Sequence, residues 1–390
     1  MTIYNILNKL QLKSEVEKKR VDRNRRNFLK ITGGGIFLGS IGVLGGKVFF
    51  SSPNLAILPW KTAEIHNDPR VKSLAYAILS PNPHNRQPWE MELVGKNEVK
   101  INRDLSKNLP HTDPYDRQLT IGMGCFIETM VIAASNFGYR VEIELFPDQS
   151  DKYFANAKFL KDKTLSRDSL FEQITSRRSC KEPYKDIKVP RELISKMEKY
   201  GSVYANQNDV QHLKRITKEG FHIEIKTKRT FQESIDLMRF GKKEINKKPD
   251  GIDLSGFLNE LAIMTGILSK ASLLDTKSFA YKENLRMYDE MLNSTPAYIL
   301  LKSKGNSRFN QVDTGRKWMR ANLLSTKLGL ALHPVSQVLQ EYPEMSKLYR
   351  GIHNRYANED ETIQMIGRLG FGVNVPPSPR WDITKKIINL

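Results

Sequence analysis

Apolar residues recur at two different periods along this chain, and the switches between them mark its elements. Val71, Leu74, Ala75 and Ile78 fall at helical spacing behind Asp68-Pro69, a capping residue followed by a proline suited to a first turn. Trp89 to Leu93 alternates as a strand, and Val99-Lys100-Ile101 is placed to pair with it across Gly95-Lys96-Asn97. Ile121 to Phe137 is apolar on nearly every face, which predicts a long helix buried on most sides. Val141 to Phe146 alternates again. Further on, Pro296 to Lys302 reads as a buried strand, and Ala331 to Gln337 as a short strand and turn.

Between the first helix and the first strand lies Ser80-Pro81-Asn82-Pro83-His84-Asn85-Arg86-Gln87-Pro88-Trp89. Its prolines remove backbone donors and preset φ, so the segment holds one shape at little entropic cost. His84, Asn85 and Gln87 then offer polar groups from a stiff backbone, which suits the edge of a flat heterocycle. The same residues also suit a well-capped turn.

The pattern begins afresh near Ser166. Leu170-Phe171-Glu172-Gln173-Ile174 leads to the polar turn Arg177-Arg178-Ser179-Cys180-Lys181 and on to Pro183-Tyr184, as Leu74 led to the decapeptide and Pro88-Trp89. Gly315 and Gly329 bracket a helix at the interval of Gly124 and Gly138. These parallels predict an α+β fold of two degenerate halves, 68–165 and 166–390, packed as an intrachain pseudo-dimer with a site at the seam. The second half carries a largely helical insertion over about 227–293, read either as a lid or as peripheral packing.

Ahead of these halves, 51–67 is expected to be a linker. Residues 1–50 form a different kind of segment: Lys18-Lys19-Arg20 and Arg23 lead to Arg25-Arg26-Asn27-Phe28-Leu29-Lys30, and a glycine-rich uncharged stretch follows from Ile31 to Gly46. Glycine this dense opposes a folded helix. The run resembles a twin-arginine export signal, which implies handling by the twin-arginine machinery and a periplasmic or outer-face location. No clear A-x-A site follows, so removal and retention as an anchor both stay open.

The 390 residues carry a net charge of +19, but the excess is mostly lysine spread along the chain. Zinc-finger spacing, an RNA-recognition signature and a basic repeat are all missing, so no specific nucleic-acid partner is expected. With Cys125 and Cys180 as the only cysteines, neither a disulfide framework nor a cysteine metal site can form, and no metal is expected. Gly122-Met123-Gly124 lacks the third glycine of a dinucleotide loop, and phosphate-loop and nucleophile-turn motifs do not occur.

The remaining concentrated chemistry is basic. Arg177, Arg178, Ser179 and Lys181 in one turn, with Arg380 held between prolines, would make a phosphate clamp, because guanidinium forks match phosphate oxygens in pairs.

P-x-x-H-N-x-Q-P-W at Pro81 to Trp89, R-R-S-x-K at Arg177 to Lys181, the segment Gly315 to Gln337 and the closing Gly370 to Arg380 together resemble the nitroreductase superfamily, in particular its two-domain Acg-like branch. The resemblance covers roughly 68–381. It implies the FMN-dependent nitroreductase fold, with FMN held between the two halves. By position, Arg177, Arg178, Ser179, Lys181 and Arg380 would hold the ribityl phosphate. Pro81, Asn82, Pro83, His84, Asn85 and Gln87 would line the isoalloxazine, and Val335, Ser336 and Gln337 would approach its N5 edge. No catalytic side chain is expected, since the flavin carries the chemistry. The implied function is an oxidoreductase passing hydride or electrons to a small planar acceptor, a nitroaromatic or a quinone, from a donor linked to the membrane or to another protein. The rivals are a flavin-sequestering protein with a closed site and a basic surface-adhering module.

Overall fold

The computed structural model describes residues 53–390. The expected export signal therefore lies outside the described residues. Two antiparallel four-stranded sheets dominate. The first joins β1 (Trp89–Val94), β2 (Glu98–Arg103), β3 (Tyr139–Leu145) and β4 (Tyr153–Lys161) in the order β1-β2-β4-β3. The second joins β5 (Ser202–Tyr204), β8 (Ala297–Lys304), β9 (Ala331–Pro334) and β10 (Glu361–Gly370) in the order β5-β8-β10-β9. A small parallel pair, β6 (Met238–Phe240) with β7 (Ile252–Leu254), belongs to the insertion.

The helices that matter here are α1 (Pro69–Ala77), α2 (Arg117–Asn136), α3 (Gln207–Lys226), α4 (Lys228–Asp236), α5 (Phe279–Asn293), α6 (Arg308–Lys327) and α7 (Ser346–Tyr356). α2 and α6 cross at the centre. α2 is apolar all round because sheet, α1 and α6 cover its faces, and it is long and apolar enough to cross a membrane yet 83% buried within the fold. Each of the two helices ends just before a left-handed glycine, Gly138 at φ +75° and Gly329 at φ +72°, the geometry that turns the chain out of a helix without a Cβ penalty. The strand begins at once after the first, and two residues on after the second. The apolar interior falls into one core around α1, α2, α6 and the first sheet, and another where α3 and α5 pack on the second sheet.

Two chain segments differ from their sequence reading. Residues 53–66, expected as a linker, place Trp60 in the interior at 6% exposure, where its indole Nε1 donates to Ser378 O at 2.8 Å. The C-terminal residues return to the first sheet: Met91 N donates to Lys386 O at 2.8 Å and Ile388 N to Met91 O at 2.9 Å, covering the edge of β1. Nothing in the periodicity of either segment distinguishes a packed strap from a loose one.

Candidate functional site

A cavity of about 330 Å³ opens where the decapeptide, the basic turn, the 336–340 turn and the insertion converge. Pro81, Asn82, Pro83, His84 and Asn85 line it from one side, Arg177, Ser179, Lys181 and Arg380 from another, and Ser336 and Gln337 from a third. Gln87, Arg178 and Val335 do not line it.

The decapeptide holds an unusual backbone. His84, Asn85 and Gln87 sit at φ 47°, 53° and 50°, a region costing non-glycine residues on the order of 1–3 kcal/mol each. Side-chain amides hold it there. Asn82 Oδ1 accepts from Gln87 N at 2.7 Å, Gln87 Nε2 donates to Pro249 O at 2.6 Å, and Gln87 Oε1 accepts from Trp381 N at 3.0 Å. Asn85 Nδ2 donates to Pro379 O at 3.1 Å, and its Oδ1 accepts from Arg380 at 2.7 Å. The expectation that Asn85 and Gln87 present free amides to a ligand is thus corrected: both are spent on bracing the loop. Pro83 and Asn82 seat the loop against Gly122 of α2, where a Cβ would come within 3.1 Å of Pro83 Cδ.

The basic cluster divides in the same way. Arg380, 3% exposed, donates from all three guanidinium nitrogens to the carbonyls of Ile78, Leu79, Ser80 and Pro379 and to Asn85 Oδ1. It therefore caps the end of α1 and brings charge to the cavity, with its hydrogen bonds already used. Arg178 turns away, its guanidinium 4.6 Å from the Trp60 ring and donating to Thr175 O and Arg177 O. Arg177 behaves differently. It is 2% exposed, donates to Leu79 O at 3.1 Å and weakly to Ser179 Oγ at 3.5 Å, and its Nε has no partner. Among the described residues no carboxylate forms an ion pair with Arg177 or Arg380. Burial, with Arg178 adjacent, pulls the Arg177 pKa down to about 10. Burial also lowers Lys181, with Asp253 opposing the shift. A buried cation without a counter-charge is costly, and an anion in the cavity removes that cost.

Two histidines face this charge as neutral rings. Burial, then Lys181 and Arg86, lower His84 to about 4. His333 also lines the cavity and is held far below its ordinary value by burial, Arg368 and Lys181. Arg368 Nη1 lies 3.3 Å from His333 Nδ1; since a guanidinium only donates, Nδ1 accepts and Nε2 carries the proton. Arg368 itself is fully buried, stacked 4.0 Å over Tyr184 and bonded to Thr295 Oγ1 and Glu182 O.

Sequence reasoning missed His333 and α3, and for the insertion it offered a lid or peripheral packing without naming its wall residues. Phe221 and Glu224 of α3, Asp253, and Asn284 and Tyr288 of α5 complete the walls. Phe221 and Tyr288 stack at 3.4 Å, 6° from parallel, and Tyr288 OH accepts from Gln337 Nε2 at 2.7 Å. Asn284 Oδ1 and Gln337 Oε1 are buried without partners. His333 was findable as the polar residue two positions before Val335 on a strand leading to the site. The insertion residues carry no local signal.

No family model matches the sequence. Over 79 residues, 20% of its length, the chain is 29% identical to a protein of Mycobacterium tuberculosis H37Rv, Rv3131, named as an NAD(P)H nitroreductase. That match spans 23% of the relative, about a quarter of its length. Among solved structures, a nitroreductase with bound FMN from Bacteroides fragilis is 11% identical, with a TM-score of 0.31 over 55% of this chain and 95% of that one. The FMN-dependent nitroreductase NfnB of Mycobacterium smegmatis, in complex with NADPH, gives 13% and 0.34 over 55% and 94%. A nitroreductase-like protein of Anabaena variabilis gives 10% and 0.39 over 71% and 69%. At these TM-scores the likeness does not by itself fix the fold.

Proposed function

We propose that the chain is an exported FMN-binding oxidoreductase of the nitroreductase type, built as two related α+β halves, 68–165 and 166–390, with the cofactor at their seam. The observation that carries this reading is Arg177, a buried cation on the cavity wall with no carboxylate and an unpartnered Nε. The residues present suit the cofactor. Arg177, Ser179 and Lys181 would hold a phosphate, and charge-assisted bonds of this kind contribute about 1.5–3 kcal/mol each. Arg380 adds its charge while capping α1. Pro81, Asn82, Pro83, His84 and Asn85 offer a stiff wall for a planar ring, and Gln337 Oε1 an acceptor for a ring N–H. When bound, FMN supplies two-electron transfer to a flat acceptor such as a nitroaromatic or quinone.

The protein's part is to bind, orient and exclude water. Two neutral histidines leave the anion's charge to be balanced by Arg177, whose pKa is pulled down to about 10, with Lys181 and Arg380 beside it. The basic Arg25-Arg26 segment supports export as a folded, cofactor-loaded protein, to the periplasm or the outer face of the inner membrane, with electrons supplied from the membrane or by another protein.

Purified protein is expected to be yellow and to release FMN near one per chain; a colourless chain that cannot be reconstituted overturns the reading. The walls contributed by α3, α4 and the insertion favour a second reading, flavin sequestration with little turnover. Anaerobic reduction by dithionite followed by mixing with a quinone separates the two. Prompt reoxidation marks an oxidoreductase, and an inert reduced flavin marks storage.

A further inference from the structure

We propose that Glu224 is a proton donor of this cavity, serving a neutral quinone-class acceptor seated against the wall that Phe221, Tyr288 and Glu224 form; this rests on the flavin reading above.

Glu224 sits one turn beyond Phe221 on α3 and is 6% exposed. Its Oε1 accepts from Ser234 Oγ and its Oε2 from Gln340 Nε2, each at 3.1 Å. Both donors are neutral, and no Lys, Arg or His forms an ion pair with this carboxyl among the described residues. A carboxyl so placed has little to offset the loss of water around its charge, so the protonated form is favoured. Burial lifts its pKa to about 7, Glu233 on α4 adds to the shift, and the Ser234 and Gln340 bonds oppose it. Beside Glu224 stand Tyr288 on α5 and Tyr342 beyond the 337–340 turn, both held in the phenol form, with Arg229 paired to Glu344 beside the Tyr342 ring; elsewhere in the wall are the basic groups and histidines described above and Asp253, which burial also lifts while Ser255 and Lys181 oppose the shift. Glu224 is thus a carboxyl of the cavity wall, beside the Phe221–Tyr288 rings, that holds a proton near neutrality and can release it.

The surroundings fit a flat, uncharged ring. The Phe221 and Tyr288 rings make an aromatic wall, and Asn284 Oδ1, buried without a partner, is an acceptor for a hydroxyl of the product. Reducing a quinone takes two electrons and two protons. Bound FMN, when reduced, would supply both electrons and one proton as hydride; Glu224 would give the second proton to form the other O–H bond as the two C=O π bonds open into the aromatic ring. The carboxylate is then reprotonated from water.

The test is Glu224→Gln in the FMN-loaded protein, reduced with dithionite and mixed with menadione in a stopped-flow instrument across the neutral range. The wild-type reoxidation rate is expected to fall about tenfold per pH unit above about pH 7, and the variant to be at least about a hundredfold slower and flat. Gln340→Leu removes a bond that favours the charged form, so it should move the wild-type profile to higher pH. Independently of turnover, infrared difference spectra should show protonated-carboxyl absorption in the wild type that is lost with rising pH, and the component lost around pH 7 should be missing from Glu224→Gln. A chain that binds no flavin overturns the functional reading beneath. A flavin-loaded chain whose profile neither substitution moves, or whose infrared band is unchanged by Glu224→Gln, overturns this inference alone.

Discussion

Gly124 and Gly315 lie against each other where α2 and α6 cross, and neither leaves room for a methyl group. A Cβ on Gly124 would stand 2.3 Å from Val312 O, and one on Gly315 2.0 Å from Ile121 O. Both obstacles are helix backbone, so relief requires the helices to part. Gly315→Ala is expected to destabilise by at least about 1–3 kcal/mol, the usual range for overpacking, read from the urea midpoint. Gly122→Ala meets Pro83 Cδ and Asn82 Cβ at 3.1 and 3.2 Å and Asn82 Cα at 3.4 Å, all in the decapeptide, and should instead displace that loop, weakening FMN binding more than folding.

Arg177 and Arg380 are expected to fail in different ways. Replacing Arg380 with Ala uncaps the carbonyls at the end of α1 and frees Asn85, so its main effect is a stability loss of at least about 2 kcal/mol. Arg177→Ala removes a buried charge that lacks a partner, so the apoprotein should be no less stable, while FMN affinity drops by about 1.5–3 kcal/mol. Thermal melts with and without FMN, beside a fluorescence titration, read both. An Arg177→Ala chain that binds FMN as tightly as the wild type would remove this residue from the phosphate site.

Local elements were legible because their signals are local. Asp68-Pro69 marks the start of α1 and its side chain does accept from Arg70 N; Gly95-Lys96-Asn97 joins β1 to β2; Gly138 and Gly329 end the two long helices. The decapeptide, the basic turn and the 335–337 segment were also visible as chemistry, and most of their residues share one cavity. What could not be read is how each polar group is spent. Asn85, Gln87 and Arg380 look like ligand donors in sequence, yet their bonds go to Pro249, Pro379 and Ile78 to Ser80, partners set by tertiary structure alone. Which of the two readings of the insertion holds, lid or peripheral packing, was hidden for the same reason. Phe221, Asn284 and Tyr288 lie at ordinary amphipathic positions, and their helical faces would read the same packed on any core.

Stability should depend on pH through buried acids whose pKa values move upward, Glu224 and Asp113 among them. Glu224 rises to about 7, and Asp113, which accepts from Gln118 N and Leu119 N at the start of α2, rises to about 6, each chiefly through burial. A carboxyl whose folded pKa exceeds its unfolded one stabilises fully below the unfolded value, and that stabilisation fades as pH rises through the folded value. Urea midpoints should therefore fall between about pH 4 and pH 7 and level off above, and Glu224→Gln should flatten part of that slope. An identical slope in the variant would show that Glu224 ionises normally.

Asp250 fastens the insertion to the first half. Its carboxylate, fully buried, accepts from Lys107 Nζ at 2.7 Å and Arg239 Nη2 at 2.8 Å, and the flanking Pro249 O and Gly251 N bond to Gln87 and Asn85. The two cations hold its pKa near 2 against burial, so this contribution persists through neutral pH and is lost only as pH falls toward that value. Asp250→Asn leaves Arg239 buried without its counter-charge, a change that typically costs about 3–5 kcal/mol. Because the same segment braces the left-handed backbone at Asn85 and Gln87, the loss should spread to the cavity. Limited proteolysis is expected to cut within 227–293 faster in Asp250→Asn, and FMN to dissociate faster, while Arg229→Ala, which breaks only an exposed pair with Glu344, should change neither. Equal cleavage and release in both variants would mean that the insertion is held by its apolar core and that Asp250 contributes nothing to closing the site.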